Sequence, residues 1–285
     1  MDTLHSIKPL CEITSLRVSW LGRICYSLRR HSQSLAIKNI NTIFEHTLSP
    51  YERNHLAKAY YSHIITSLKE CIWLRCLSAK KLESKVEIQG LHYFLDAAKQ
   101  KKGIILLTGH LGSWEFTPVI GIPTIREFPG RFHVIRKPLR FKFLKSIFHK
   151  PWSNHKMRVI DHKNALIKSV KALRKNDAVL FVFDQRAREP HSFLLNFLKK
   201  PAETYSSLAH LVQHLHTPVL PVTTYRQADE KHIIEFYPQI IWATHPDMNE
   251  ALKINTQQYN RTLEKMILKN PEQWLWSYKR WKFNE

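Results

Sequence analysis

His110 and Glu115 stand five positions apart, with four residues between them, in the string Gly109-His110-Leu111-Gly112-Ser113-Trp114-Glu115. A histidine titrates near neutrality and can take the proton of a hydroxyl. A carboxylate beside it can fix the imidazole tautomer and stabilise the imidazolium. On one continuous helix this offset is about 140°, so the two side chains would diverge. They converge if His110 ends a strand and Glu115 lies in a first helical turn, with glycine allowing the bend. The apolar run Ile104-Ile105-Leu106-Leu107 supplies such a strand. The sequence holds no G-x-S-x-G elbow, so the expected nucleophile is a hydroxyl of the substrate. The bland alternative is a satisfied histidine at a strand end, one of 17 in the chain.

Other residues could assist. Arg136 follows the apolar stretch Phe132 to Ile135 and precedes Lys137, Arg140, Lys142 and Lys145. A guanidinium there can pair bidentately with a phosphate, or belong to a solvated basic helix face. Arg158 is a second candidate of the same type. Asp184 and Gln185 end the run Val179-Leu180-Phe181-Val182-Phe183. They could line a site, accept a bond from a basic residue, or cap the next turn. The histidines show no HExxH or other metal-ligand spacing, so no metal and no cofactor are expected.

The elements that must position these residues alternate. Residues 13 to 77 read as helices, with Ser49 as an N-cap and Pro50 at the first helical position. A helix over 89–100 closes at Gly103, and Ile104 to Thr108 is a strand. Strands follow at Phe132 to Ile135, Arg158 to Ile160, Ala178 to Phe183, Val219 to Thr224 and His232 to Tyr237. Helices are expected at Leu139 to Phe148, Ala165 to Leu173, Pro201 to Leu215 and Asn255 to Leu268. This predicts an α/β fold: a mixed, largely parallel sheet flanked by helices, with an N-terminal helical extension. The division expected is 1–80, helical and membrane-associating, and 81–285, the α/β domain, packed as one unit. Ligands of such sheets sit at the carboxyl ends of strands, where His110 and Asp184 both fall.

With 44 basic against 23 acidic residues the net charge is +21. Such a field attracts anionic lipid, acidic protein or nucleic acid. Seven glycines and no Gly/Ser-rich stretch leave no room for a flexible linker. The cysteines Cys11, Cys25, Cys71 and Cys76 have no CxxC spacing, which implies neither disulfides nor zinc. No run of 18 apolar residues occurs in the sequence, so no spanning helix is expected, and no signal peptide is expected either. Leu16 to Leu28, interrupted by Arg17 and Arg23, reads as an interfacial amphipathic helix or as a helix packed on the domain. Trp274, Trp276, Tyr278 and Trp281 alternate with Lys279, Arg280 and Lys282. That pattern suits a membrane interface, a single-stranded nucleic acid, or a terminal element packed on the core.

The string His-Leu-Gly-Ser-Trp-Glu resembles the His-x4-Asp/Glu motif of glycerolipid acyltransferases, and within them the bacterial lipid A late acyltransferases. Matching pieces follow in order. They are Arg29-Arg30, Asn39-Ile40-Asn41, Ser49-Pro50-Tyr51-Glu52-Arg53, Val134-Ile135-Arg136-Lys137-Pro138, Phe183-Asp184-Gln185, Phe197 with Lys200-Pro201-Ala202-Glu203-Thr204, Pro218-Val219-Leu220-Pro221 and Pro271-Glu272-Gln273-Trp274-Leu275-Trp276. The resemblance spans roughly residues 15 to 283. It implies transfer of an acyl chain from acyl carrier protein to a hydroxyl of a phosphorylated lipid A precursor, at the cytoplasmic face of the inner membrane. It also implies His110 and Glu115 as the catalytic pair, and Arg136, Arg158, Asp184 and Gln185 as substrate-binding residues. One departure is that Arg186-Ala187-Arg188 stand where relatives often show glycine. Another hydroxylated lipid is the alternative acceptor. A basic nucleic-acid-binding protein is the alternative of another class, although the resemblance implies no nucleic acid. Its binding should be indifferent to His110 and fall steeply with salt.

Overall fold

A computed structural model describes residues 10–31, 34–73, 77, 79–115, 117–136, 156–188, 190 and 192–282. Its strands are β1 Val86–Gln89, β2 Ile104–Thr108, β3 Phe132–Arg136, β4 Met157–Asp161, β5 Ala178–Val182, β6 Ser192–Phe197, β7 Lys200–Tyr205, β8 Val219–Arg226 and β9 His232–Phe236. Seven of them form one sheet in the order β1-β9-β8-β2-β5-β3-β4. The block β8-β2-β5-β3-β4 is parallel, while β9 runs antiparallel to β8 and carries β1 alongside it. The expected mixed, largely parallel sheet is therefore what the chain forms.

β2 shows why the sheet lies at the centre. Ile105 and Leu107 belong to one apolar cluster and Ile104 and Leu106 to another, on opposite faces. A strand covered on both faces needs apolar residues at every position, and all four are buried. The helices are α1 Leu10–Thr14, α2 Trp20–His31, α3 Leu35–Phe44, α4 Pro50–Trp73, α5 Ala79–Glu83, α6 Leu91–Lys99, α7 Thr117–Gly121, α8 Ala165–Leu173, α9 Ser207–Leu215 and α10 Met248–Lys269. Ile37, Ile40, Phe44, Leu56 and Tyr60 of α3 and α4 share the cluster of Ile105 and Leu107. The N-terminal helices and the sheet thus share one core. α4 starts with a reciprocal cap: Ser49 N–H donates to Glu52 Oε2 at 2.8 Å, and Glu52 N–H to Ser49 Oγ at 3.3 Å.

α2 lies against α4, and Tyr26 Oη donates to Asn54 Oδ1 at 2.6 Å. A side chain at Gly22 would overlap Ser62 Oγ, so glycine sets the close approach. The opposite face leaves Trp20, Ile24 and Leu28 exposed at four-residue spacing. Of the two readings offered for this segment, packing on the domain is the one observed, on the Gly22 and Tyr26 face. Among the described residues no helix is long and apolar enough to cross a membrane. The terminal aromatics behave differently. Trp274, Trp276 and Trp281 are buried, and so is Arg280, whose guanidinium lies 4.6 Å from the Phe197 ring. Of the three readings for this stretch, packing on the core is the one observed.

One expectation needs correction. Pro201 to Leu215 is not one helix: Lys200–Tyr205 is β7, antiparallel to β6, and only Ser207–Leu215 is helical. The hairpin turns at Leu198 and Lys199, both at positive φ. No Gly, Asn or Asp marks that turn, and Pro201 mimics a helix start. Neither β1 nor β6 is foreseen from the sequence. The expected helix Leu139 to Phe148, with Lys137, Arg140, Lys142 and Lys145, lies outside the described residues.

Candidate active site

The parallel register of β2 with β5 pairs Ile104 with Ala178 through Thr108 with Val182. Carried two residues past the strand ends, it sets His110 opposite Asp184. His110 Nδ1 lies 2.9 Å from Asp184 Oδ1, and His110 N–H donates to Oδ2 at 2.7 Å. Trp274 Nε1–H donates to the same Oδ2 at 2.9 Å. Asp184 is buried, while the His110 side chain keeps 20% of its surface exposed. An ionised carboxylate only accepts, so Nδ1 carries the proton and Nε2 the lone pair. The Trp114 ring meets the imidazole edge to face at 5.5 Å.

Glu115 does not take the orienting place expected for it. Its Oε2 lies 3.3 Å from Arg136 Nη2, at the end of β3. The bend that brings His110 to the β5 side sends Glu115 to the β3 side. His110, Asp184, Glu115 and Arg136 thus gather at the carboxyl ends of three adjacent strands, and Gln185 follows, half-buried, in the bend after Asp184. Arg158 is not brought there. It is exposed on β4 opposite His133, three residues before the strand's end at Asp161, about 10 Å along the strand.

Burial alone would lower the His110 imidazole. The Asp184 charge and hydrogen bond, with a further pull from Glu115, outweigh it and raise the group above its usual range. Burial would likewise raise Asp184, but the His110 contacts and the Trp274 bond hold it below the ordinary carboxylate value.

The turn between His110 and Glu115 is held throughout. Gly112 has φ 58°, and a Cβ there would stand 2.4 Å from Thr224 O, so only glycine fits. Thr224 Oγ1 donates to Leu111 O at 2.7 Å, Gly112 N–H to Gln273 O at 2.9 Å, and Leu275 N–H to His110 O at 3.1 Å. Ser113 Oγ donates to Glu70 Oε2 at 2.9 Å. Glu70 in turn is gripped by Arg226, Nε to Oε1 and Nη2 to Oε2, both at 2.7 Å. The sequence reading missed Glu70, Arg226 and His63, which sit far apart in the chain and carry no motif of their own. Among the described residues no three His, Cys, Asp or Glu side chains group as a metal site would require.

Comparison with known proteins adds three findings. The family described as bacterial lipid A biosynthesis acyltransferase matches residues 12–283. The lipid A biosynthesis palmitoleoyltransferase of Escherichia coli K12 and the lipid A biosynthesis acyltransferase of Shigella flexneri are each 23% identical over 275 residues, 92% of this chain and 82% of theirs. The crystal structure of the 1-acyl-sn-glycerophosphate acyltransferase PlsC from Thermotoga maritima overlays with TM-score 0.38 at 13% identity, over 84% of this chain and 97% of that one.

Proposed function

Because the chain belongs to the bacterial lipid A biosynthesis acyltransferase family, we propose that it moves a fatty acyl chain from acyl carrier protein to a hydroxyl of a phosphorylated lipid A precursor. The observation that carries this reading is the pair of partly exposed His110 and buried Asp184 beside Arg136 at the strand ends. His110 Nε2 takes the hydroxyl proton as the alcohol oxygen bonds to the thioester carbonyl carbon. The resulting oxyanion collapses, the carbon–sulfur bond breaks, and the thiolate leaves with the proton returned by the imidazolium. Asp184 holds the ring and supports its charge in the protonated state. In this reading Asp184 is the orienting acid. Glu115 keeps a place at the site through Arg136, whose guanidinium turns toward an acceptor phosphate.

The charge of +21 supports an acidic donor protein and an anionic surface. The exposed stripe Trp20, Ile24 and Leu28, beside Arg23 and Arg29, supports peripheral docking on the cytoplasmic face of the inner membrane. The test is acyl transfer by the purified protein, with acyl carrier protein thioester and lipid A precursor followed by mass spectrometry. His110→Ala is expected to lower the rate about 10² to 10⁴-fold in a folded protein. Near-normal turnover would remove His110 from the mechanism. Acylation only of a different hydroxylated lipid would change the acceptor.

A further inference from the structure

Behind the active-site turn lies a second polar cluster that the reaction itself does not use. Glu70 from α4 and Arg226 from the end of β8 form a bidentate pair with side chains 14% and 12% exposed. His232 Nε2 lies 3.2 Å from Glu70 Oε1. Arg226 Nη1 stands 3.4 Å from His63 Nδ1, and His63 Nε2 stands 3.3 Å from the Gly112 carbonyl. If Arg226 donates to Nδ1, the His63 proton is on Nε2, aimed at Gly112. The Arg226 backbone is closed on both sides by the Gln273 amide, at 2.8 and 3.0 Å.

The cluster converges on Ser113. Its buried hydroxyl donates to Glu70 and accepts from Arg226 Nη2 at 3.2 Å. Ser113 O also accepts Thr117 N–H at 3.0 Å, which starts α7. Glu115 lies two residues on from Ser113, between these two anchorages. His110, by contrast, is held by Asp184 from the other side of the sheet. A buried ion pair is a poor source of net stability, because desolvation offsets much of the attraction. It is a good way to fix one geometry. The charge is retained: burial works against it, but His232 and Arg226 hold the Glu70 carboxyl down at about 2.

We propose that the Glu70–Arg226 pair is a positioning device: through Ser113 it sets where Glu115 and its partner Arg136 stand, independently of the Asp184 clamp on His110. The proposal rests on the reading of this site as an acyl-transfer centre. The cluster meets the turn at Ser113 and Gly112, and the proposal routes its effect through Glu115, two residues beyond Ser113.

The test is a double-mutant cycle of Ser113→Ala and Glu115→Gln in the full-length protein, assayed with acyl carrier protein thioester and phosphorylated lipid acceptor. Ser113→Ala removes one hydroxyl and keeps the fold. It is expected to lower kcat/KM about tenfold, mainly by raising the acceptor KM, while the midpoint of the acid limb of the pH profile stays in place. In the Glu115→Gln background the same change should cost less than about twofold, because the two act as one unit. Glu70→Gln should repeat this pattern. Effects that multiply, a shifted acid limb, or an unchanged acceptor KM would overturn the proposal. Arg136→Ala measured alongside separates the two ideas: an unchanged acceptor KM there removes phosphate holding by Arg136, while the Ser113–Glu115 coupling still decides the positioning role.

Discussion

At the scale of residues, Asp184 accepts from the His110 backbone, the His110 ring and the Trp274 indole. Its effect on the imidazole has a sign that can be checked. The folded value of His110 is raised, and the base must be neutral to act, so kcat/KM should rise with pH through a midpoint above about 6.5. Asp184→Asn removes the charge, so the midpoint should fall and kcat should drop on the order of 10³-fold. For stability, the raised His110 contributes fully below about pH 6.5 and its share is lost as pH rises through the folded value. The depressed Asp184 contributes above about pH 4 and its share is lost as pH falls. Urea titrations should therefore show Asp184→Asn costing more at pH 6 than at pH 9. Arg136 gives a separate expectation. If its fork holds a phosphate, Arg136→Lys should raise the acceptor KM about tenfold and leave kcat nearly unchanged. A fall in kcat alone would move Arg136 to the oxyanion.

At the scale of elements, the β6–β7 hairpin turns on two consecutive non-glycine residues at positive φ, Leu198 and Lys199. Leu198 is buried and its N–H donates to Glu264 Oε1 at 3.0 Å, which holds it at positive φ. Lys199 is exposed at φ 62°. Lys199→Gly should therefore stabilise by about 0.5 to 1 kcal/mol, read as a higher urea midpoint with unchanged kcat. The same hairpin explains what the sequence conceals. β2 and β5 are legible because an unbroken apolar run has few other uses, and α8 because its apolar spacing is helical. β7 is not legible, since its turn lacks the usual residues and Pro201 reads as a helix start. The sequence singles out His110, Asp184 and Arg136, and the structure brings them to neighbouring strand ends, but who pairs with whom is not legible. Partner choice depends on which strands become neighbours, and that is a long-range outcome. Once β2 and β5 are adjacent, register alone places Asp184 on His110.

At the scale of the whole molecule, charge and exposed apolar surface act together. The attraction of a +21 protein for anionic lipid is screened by salt, whereas an apolar contact made by the exposed Trp20, Ile24 and Leu28 would not be. Sedimentation with anionic vesicles should weaken in high salt. It should weaken further in the double variant Trp20→Gln, Leu28→Gln, with an unchanged melting temperature, because both side chains are exposed. Binding that resists salt and alkaline wash would point to an integral anchor.

The segment Pro271 to Trp281 closes the active-site turn, lends Asp184 a donor and packs three indoles into the core. It is also the last part of the site to be translated. Domains begin to fold from the amino end during synthesis, and here that early fold lacks the strip that secures the His110 loop. A nascent chain stopped short of this strip would hold every side chain of the base and its carboxylate, yet leave Asp184 without its indole partner. Catalytic competence therefore waits on these residues, and chains truncated just before Pro271 should be inert in the acyl-transfer assay even where the sheet has formed.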